Sequence, residues 1–302
     1  MELREYQVKT ISKTANSLRQ GNQAPLIVLP TGAGKTVIFS EISKRAVQKN
    51  NNVLILVHRR ELIKQASQKL ANIQVPHGII AAGFKPSNHQ IQVASVQTIV
   101  RRLKSTSFKP ALIIIDEAHH SVAGSWKKVL DHFPNAKRIG VTATPCRLSG
   151  EGLREMFDDL ILGPTVKKLV KAGFLSPHKV FGAPQKINFK KIKMRGGDYA
   201  TDQLAEEMLK ADITGDAVKQ YQKHANGLPA IAFCVNVEHA ESVKAKFNNS
   251  GIAADIITGS MNTDDRDQVI NGLSTGKIQV LVSIEVISEG FDLPAISTAI
   301  LL

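Results

Sequence analysis

Apolar residues along the chain gather into short unbroken runs, separated by stretches in which they recur every third or fourth position. Runs at Leu26–Leu29, Val53–Val57, Ile91–Val96, Leu112–Ile115 and Arg138–Val141 predict strands. Between two of them, Leu62, Ile63, Ala66, Leu70 and Ile73 form one stripe at helical spacing. Strands alternating with helices imply parallel pairing in a doubly wound sheet, whose ligands gather at the carboxyl ends of the strands. The pattern then restarts, with strands predicted at Ala230–Val235, Ala254–Ile257, Gln279–Ile284 and Thr298–Leu302. Asn236 is placed to cap a helix carrying Val237, Ala240, Val243 and Phe247 on one face, and Thr263 to cap a helix through Val269, Ile270 and Leu273. Between the halves, Pro177, Gly182, Pro184, Gly196 and Gly197 and the run Lys190-Lys191-Ile192-Lys193 break both periodicities. The expected fold is α/β with two parallel-sheet domains, residues 1–175 and 213–302, joined by a connector over 176–212.

Composition changes this picture mainly through charge. A formal net charge of +13 at pH 7 points to a polyanionic partner such as nucleic acid. No apolar run approaches bilayer-spanning length, and Leu3-Arg4-Glu5 so soon after Met1 lacks the character of a secretory leader. A cytoplasmic protein without membrane attachment is expected. Cys146 and Cys234 form no metal or redox spacing and read as small hydrophobes beside or within strands. Aromatic residues make up only 5% of the chain. A polymer would therefore be held mainly by its phosphate backbone, with sensitivity to salt, rather than by stacked bases.

The sharpest local signal follows the first strand. Leu26–Leu29 leads into Pro30-Thr31-Gly32-Ala33-Gly34-Lys35-Thr36 and then a helix-like stretch. Glycines at 32 and 34 permit a sharp turn in which backbone N–H groups and the positive end of a helix converge on an anion. Lys35 can reach β- and γ-phosphates, and Thr36 can place its hydroxyl on Mg²⁺. The pattern G-x-x-x-x-G-K-[ST] lacks its first glycine, where Leu29 stands. Downstream, the apolar run Ala111–Ile115 delivers Asp116 and Glu117 to a strand's carboxyl end. Asp116 can hold the magnesium shell, while Glu117 can orient and deprotonate an attacking water.

Taken in order, Gly32-Ala33-Gly34-Lys35-Thr36, Asp116-Glu117-Ala118-His119 and Val141-Thr142-Ala143-Thr144-Pro145 resemble the DEAH-box branch of superfamily 2 helicases. The wording is similar to bacterial RadD-like and type III restriction-subunit-like members. The resemblance extends along the chain. Leu3-Arg4-Glu5-Tyr6-Gln7 is similar to the motif that reads adenine. Val57-His58-Arg59-Arg60-Glu61-Leu62 and Ala94-Ser95-Val96-Gln97-Thr98 resemble the two strand-gripping motifs. Ile231-Ala232-Phe233-Cys234 resembles the fourth motif, Ile257-Thr258-Gly259 a nucleic-acid contact, and the stretch from Leu281 to Pro294 the fifth.

Such a likeness implies two RecA-like domains, the second incomplete, with ATP in a cleft and a nucleic-acid strand, DNA ahead of RNA, across both. It implies a nucleic-acid-dependent ATPase that uses ATP and Mg²⁺. Catalytic roles would fall to Lys35, Asp116, Glu117 and His119, and metal contacts to Thr36 and Asp116. Nucleotide contacts are implied for Arg4, Gln7, Thr31, Gly32, Ala33, Gly34, Lys35, Thr36, Thr144, Gly290 and Asp292. Nucleic-acid contacts are implied for His58, Arg59, Arg60, Lys64, Ser95, Gln97, Thr98, Thr258, Gly259 and Ser283. Thr142, Thr144 and His119 would couple nucleotide state to domain contacts through hydrogen bonds, with His120 a structural neighbour.

The family's sixth motif, a Gln…Gly-Arg…Arg stretch on a helix after the last strand, does not occur in this sequence. Arginines of that kind are worth roughly 10³–10⁵ in rate, and Arg266 stands elsewhere in the order. Two readings follow. The chain is a piece of a longer ATPase, which is preferred, or it is a shortened ATP- and nucleic-acid-binding module with negligible turnover. Either way an unfinished sheet edge is expected in the second domain.

Overall fold

The computed structural model describes residues 2–58, 60–120, 124–145, 152–182, 193–195, 198–199, 203, 213–284 and 295–302. The chain divides into two compact units, Met1–His178 and Lys179–Leu302.

The first unit is a seven-stranded sheet. Its strands are β1 (Pro25–Val28), β2 (Val53–Val57), β3 (Gly78–Ile80), β4 (Ile91–Ser95), β5 (Leu112–Asp116), β6 (Lys137–Thr142) and β7 (Asp159–Leu162). They are ordered β3-β4-β2-β5-β6-β1-β7, and every neighbouring pair is parallel. The helices are α1 (Glu5–Arg19), α2 (Lys35–Val47), α3 (Arg60–Asn72), α4 (Val96–Arg102), α5 (Gly124–His132) and α6 (Val166–Lys171).

The unbroken apolar runs have a direct cause. Alternate residues of a strand face opposite sides, and helices cover both sides of this sheet. Val53, Ile55, Val57 and Ile114 pack with Phe39, Ile63 and Leu70 on one face. Leu54, Leu56, Ile113 and Ile115 pack with Ile99, Trp126 and Val129 on the other. Each such side chain contributes about 1.5–3 kcal/mol by burial, so a charge at Ile114, which is fully buried, would break the unit. The predicted stripe Leu62, Ile63, Ala66 and Leu70 is buried on α3, with Ile73 packed just beyond its end.

Several elements were not foreseen by periodicity, α1, β3 and β7 among them. Helix α1 buries Gln7, Thr10, Thr14 and Ser17 beside Ile11, so its inner face is polar. The threonine hydroxyls are satisfied within the helix, Thr10 Oγ1 donating to Tyr6 O at 2.8 Å and Thr14 Oγ1 to Thr10 O at 2.9 Å. Strands β3 and β7 are short edges; in β7 only Ile161 is buried, while Leu160 and Leu162 are exposed. Edge strands of this length bury too little to leave an alternating signature.

The second unit holds β10 (Ala230–Phe233), β11 (Ala254–Ile257), β12 (Val280–Ser283) and β13 (Thr298–Leu301) in the parallel order β11-β12-β10-β13. A two-residue antiparallel ladder, β8 (Met194–Arg195) with β9 (Asp198–Tyr199), precedes them. Helices α7 (Ile213–His224), α8 (Val237–Asn249) and α9 (Thr263–Ser274) complete the described residues. Strand β13 is an edge, with Leu301 81% exposed.

Asn236 caps α8 by accepting from His239 N at 2.8 Å. Two expectations need correction here. Val237 is exposed, because the buried stripe runs through His239, Ala240, Val243 and Phe247. Val237 lies roughly 100° round the helix from the centre of that stripe. The cap of α9 is Asn262, not Thr263: its Oδ1 accepts from Asp265 N at 2.9 Å, and asparagine reaches the third N–H of a helix readily. Cys234 is buried as a free thiol, and burial pushes its pKa up to about 12; Cys146 lies outside the described residues. Among the described residues no helix is long and apolar enough to cross a membrane.

Candidate nucleotide site

The site is built at the carboxyl ends of β1, β5 and β6. Leu29 continues β1 by one residue, its N–H donating to Thr142 O at 3.0 Å. Its side chain is fully buried and sits beneath Gly163, where an added Cβ would lie 2.2 Å from Leu29 Cδ2. The first glycine of the usual pattern is thus replaced by a core residue that packs under a glycine on the neighbouring segment.

The chain then turns tightly, Ala33 N donating to Pro30 O at 3.1 Å. Gly32 and Gly34 adopt φ values of +78° and +80°, where side chains with a Cβ are strained. Gly34 is the N-cap of α2, so Lys35 and Thr36 occupy its first turn, where unpaired N–H groups and the helix dipole favour an anion. Thr31 and Gly32 are exposed, and Gly34, Lys35 and Thr36 are half-buried around a fully buried Ala33.

Across from this turn, Asp116 ends β5 and Glu117 follows with φ +47°, a strained conformation for a residue with a side chain. That geometry lets Glu117 N donate to Asp116 Oδ1 at 3.1 Å and turns the Glu117 carboxylate toward Lys35. Lys35 Nζ lies 3.8 Å from Glu117 Oε1. Burial, and then the Glu117 charge, push Asp116 up to about 6. A buried carboxylate beside a second one is a poor anion by itself and a good ligand for a cation.

His119, in the short turn Ala118–His120, closes the site. Its Nδ1 lies 3.7 Å from Glu117 Oε2 and 2.9 Å from Thr142 Oγ1. Thr142 Oγ1 gives its one proton to Thr144 O at 3.0 Å and accepts from Thr144 N at 3.1 Å. The hydroxyl has no second proton, so the Nδ1–H of His119 is the donor to Thr142. Lys35, Asp116, Glu117, His119 and Thr142 are therefore assembled at the carboxyl end of the sheet, and the Thr144 side chain is exposed beside them.

Arg4 and Gln7 lie next to the loop, at the start of α1. Gln7 Oε1 accepts from Arg4 N at 2.9 Å, and Gln7 Nε2 donates to Ala33 O at 3.4 Å. Sequence reasoning missed the aromatic residues here. Tyr6 OH donates to Ala33 O at 2.7 Å, the Phe174 ring lies 5.5 Å from that of Tyr6, and the Arg4 guanidinium sits 4.6 Å over Phe174. Nothing local in the sequence joins Phe174 to residues 4–6, since the contact depends on folding.

The residues assigned to nucleic acid are less uniformly placed. Lys64 is exposed on α3, Gln97 is exposed at the head of α4, and Ser95 and Thr98 are half-buried beside it. Ser95 Oγ donates to Gln97 Oε1 at 2.8 Å, and Gln97 Nε2 donates to His58 O at 3.0 Å. The ring nitrogens of His58 are shut off from solvent, and the ring packs 4.5 Å from that of His120. His58 directly follows β2, which ends at Val57. Ser283 is fully buried on β12, a strand covered on both faces. In the second unit Thr258 and Gly259 form a surface turn, with Thr258 Oγ1 3.0 Å from Ser260 Oγ. Arg59, Gly290, Asp292 and the Arg60 side chain lie outside the described residues.

Comparison with known proteins agrees with this geometry. Residues 1–147 match the family described as type III restriction enzyme, res subunit, and residues 210–302 match the helicase conserved C-terminal domain. A 51.5 kDa protein of a Lactococcus phage is 37% identical over 276 residues, covering 91% of this chain and 58% of that protein. The Saccharomyces cerevisiae protein named "Putative ATP-dependent helicase IRC3" is 32% identical over 322 residues, covering 99% of this chain and 46% of its own length. The chain thus spans about half the length of these relatives. The solved helicase domain of Pyrococcus furiosus Hef superposes with a TM-score of 0.57 at 16% identity, over 100% of this chain and 91% of that one. That likeness shows the fold, a RecA-like helicase fold.

Proposed function

Because the chain carries a type III restriction res-subunit domain followed by a helicase conserved C-terminal domain, and so is a superfamily 2 helicase chain, we propose that it couples ATP hydrolysis to movement along nucleic acid, with DNA as the track. The carrying observation is the approach of Lys35 Nζ to within 3.8 Å of Glu117 Oε1 beneath a turn held open by Gly32 and Gly34. Lys35 neutralises the transferred phosphate, and Glu117 takes the proton of the attacking water. His119, donating to Thr142 and close to the Glu117 carboxylate, holds that carboxylate in place and ties it to the Thr142–Thr144 turn.

Thr36 and Asp116 fit a magnesium ion, since Asp116 is buried and lifted to about 6 without one. Bound there, Mg²⁺ would offset phosphate charge. Arg4, Gln7, Tyr6 and Phe174 stand where the base and ribose of ATP would lie. Lys64, Gln97 and Thr98 offer a polar surface for a phosphate backbone. The preference for DNA rests on the restriction-enzyme family matched by residues 1–147, while the net charge of +13 favours a polyanionic track of either kind.

Phosphate release is to be measured with Mg²⁺–ATP alone and with single-stranded DNA, duplex DNA or RNA homopolymer. Stimulation by DNA is expected. Stimulation by RNA alone would overturn the choice of track, and no stimulation by any polymer would overturn the function.

A further inference from the structure

Three imidazoles form a continuous stack from the nucleotide site to the heads of α3 and α4. The ring centroids of His119 and His120 are 4.1 Å apart, and those of His120 and His58 are 4.5 Å apart, inclined at 43° and 51°. At one end His119 Nδ1 faces Glu117 Oε2 and Thr142 Oγ1. At the other, the His58 carbonyl accepts from Gln97, which in turn accepts from Ser95. The parents of the two ends are neighbouring strands, β2 and β5, paired through Leu56 and Ile115. His58 follows β2 and His120 follows β5, so the stack fills the space between their carboxyl ends.

We propose that His120 is a positioning residue that couples the Glu117–His119 pair to the His58–Gln97–Ser95 group, so that nucleotide and nucleic acid each alter the other's hold. This rests on the function proposed above. The moving part is the turn Ala118–His120. Glu117 at φ +47° stores about 1–3 kcal/mol, which a second backbone arrangement of that turn would release. Relaxing Glu117 displaces His120 against His58, and because packed rings do not compress, the His58 carbonyl that holds Gln97 must shift as well. A strained turn touched from both sides is the kind of element that can carry coupling if both ligands bias it. Coupling of this kind is reciprocal.

The test uses binding rather than turnover. Affinity for fluorescein-labelled oligothymidine is measured on the 302-residue chain with and without a non-hydrolysable ATP analogue and Mg²⁺. In the natural chain the analogue is expected to change DNA affinity about tenfold. In His120→Ala the change should fall within about twofold, with affinity for each ligand alone retained. His120→Phe keeps a ring in the stack and should restore most of the effect, which loss of folding or of an imidazole proton would not allow. Unchanged coupling in His120→Ala, or its absence from the natural chain when both ligands bind, overturns the coupling role alone. Failure of the natural chain to bind either ligand overturns it together with the proposed function.

Discussion

Thr142 Oγ1 and His119 Nδ1 lie 2.9 Å apart, and the direction of that hydrogen bond is set by a third residue. Thr144 O can only accept, so it consumes the threonine proton and obliges His119 to donate. One hydroxyl thereby orients the imidazole beside Glu117 and closes the turn after β6. Thr142→Val keeps the shape and removes all three bonds. It should cost about 1–3 kcal/mol of stability and lower ATP turnover with little change in nucleotide affinity. Urea unfolding together with steady-state kinetics checks both parts.

Lys35→Ala should abolish hydrolysis and weaken ATP binding, since it removes the charge that faces the phosphates. Glu117→Gln should slow hydrolysis by about 10²–10⁴-fold while ATP binding persists. The contrast between a binding loss and a chemical loss, read by nucleotide titration and phosphate release, separates the two roles. Equal loss of binding in both variants would show Glu117 to be structural.

Asp116 gives a pH dependence of stability whose sign follows from its raised pKa. The carboxyl is at about 6 in the fold, against an ordinary value of 3.8. The folded state binds the proton more tightly, so this group favours folding at low pH. That contribution is lost as pH rises through about 6. Asp116→Asn should therefore stabilise the metal-free chain at pH 7–8 by about 1–3 kcal/mol while eliminating magnesium-dependent turnover. Thermal unfolding in chelator, with and without the substitution, is the measurement.

His239 acts in the opposite direction in the second unit. Its ring is fully buried on α8 without a hydrogen-bond partner among the described residues, and burial and then Lys246 lower its pKa. The neutral ring is compatible with the fold and the charged ring is not. Stability should fall as pH drops through about 6.5. His239→Leu should flatten that acid limb, as followed by urea midpoints across the same range.

Gly34→Ala tests the phosphate turn. Alanine at φ +80° is strained by about 1–2 kcal/mol, and its Cβ would stand 2.5 Å from Gln7 Nε2. Displacing Gln7 also unseats the α1 cap. Weaker nucleotide binding and a lower melting temperature are expected together, measured by titration and calorimetry.

Local order along the chain carried the chemistry and the winding. Burial on both faces leaves unbroken apolar runs, and a phosphate turn needs glycines, lysine and threonine in immediate succession. Strands β2, β4, β5 and β6 and the pairing of Lys35 with Asp116–Glu117 were legible for that reason. Helix α1 escaped notice because its inner face is hydroxyl rather than apolar, and β3 and β7 because edge strands bury little. The buried ring nitrogens of His58, its stack with His120, the strained backbone of Glu117 and the approach of Phe174 to Arg4 and Tyr6 left no trace in periodicity. Each joins residues distant along the chain or depends on a backbone angle, and such contacts acquire an energy only after the sheet has brought them together.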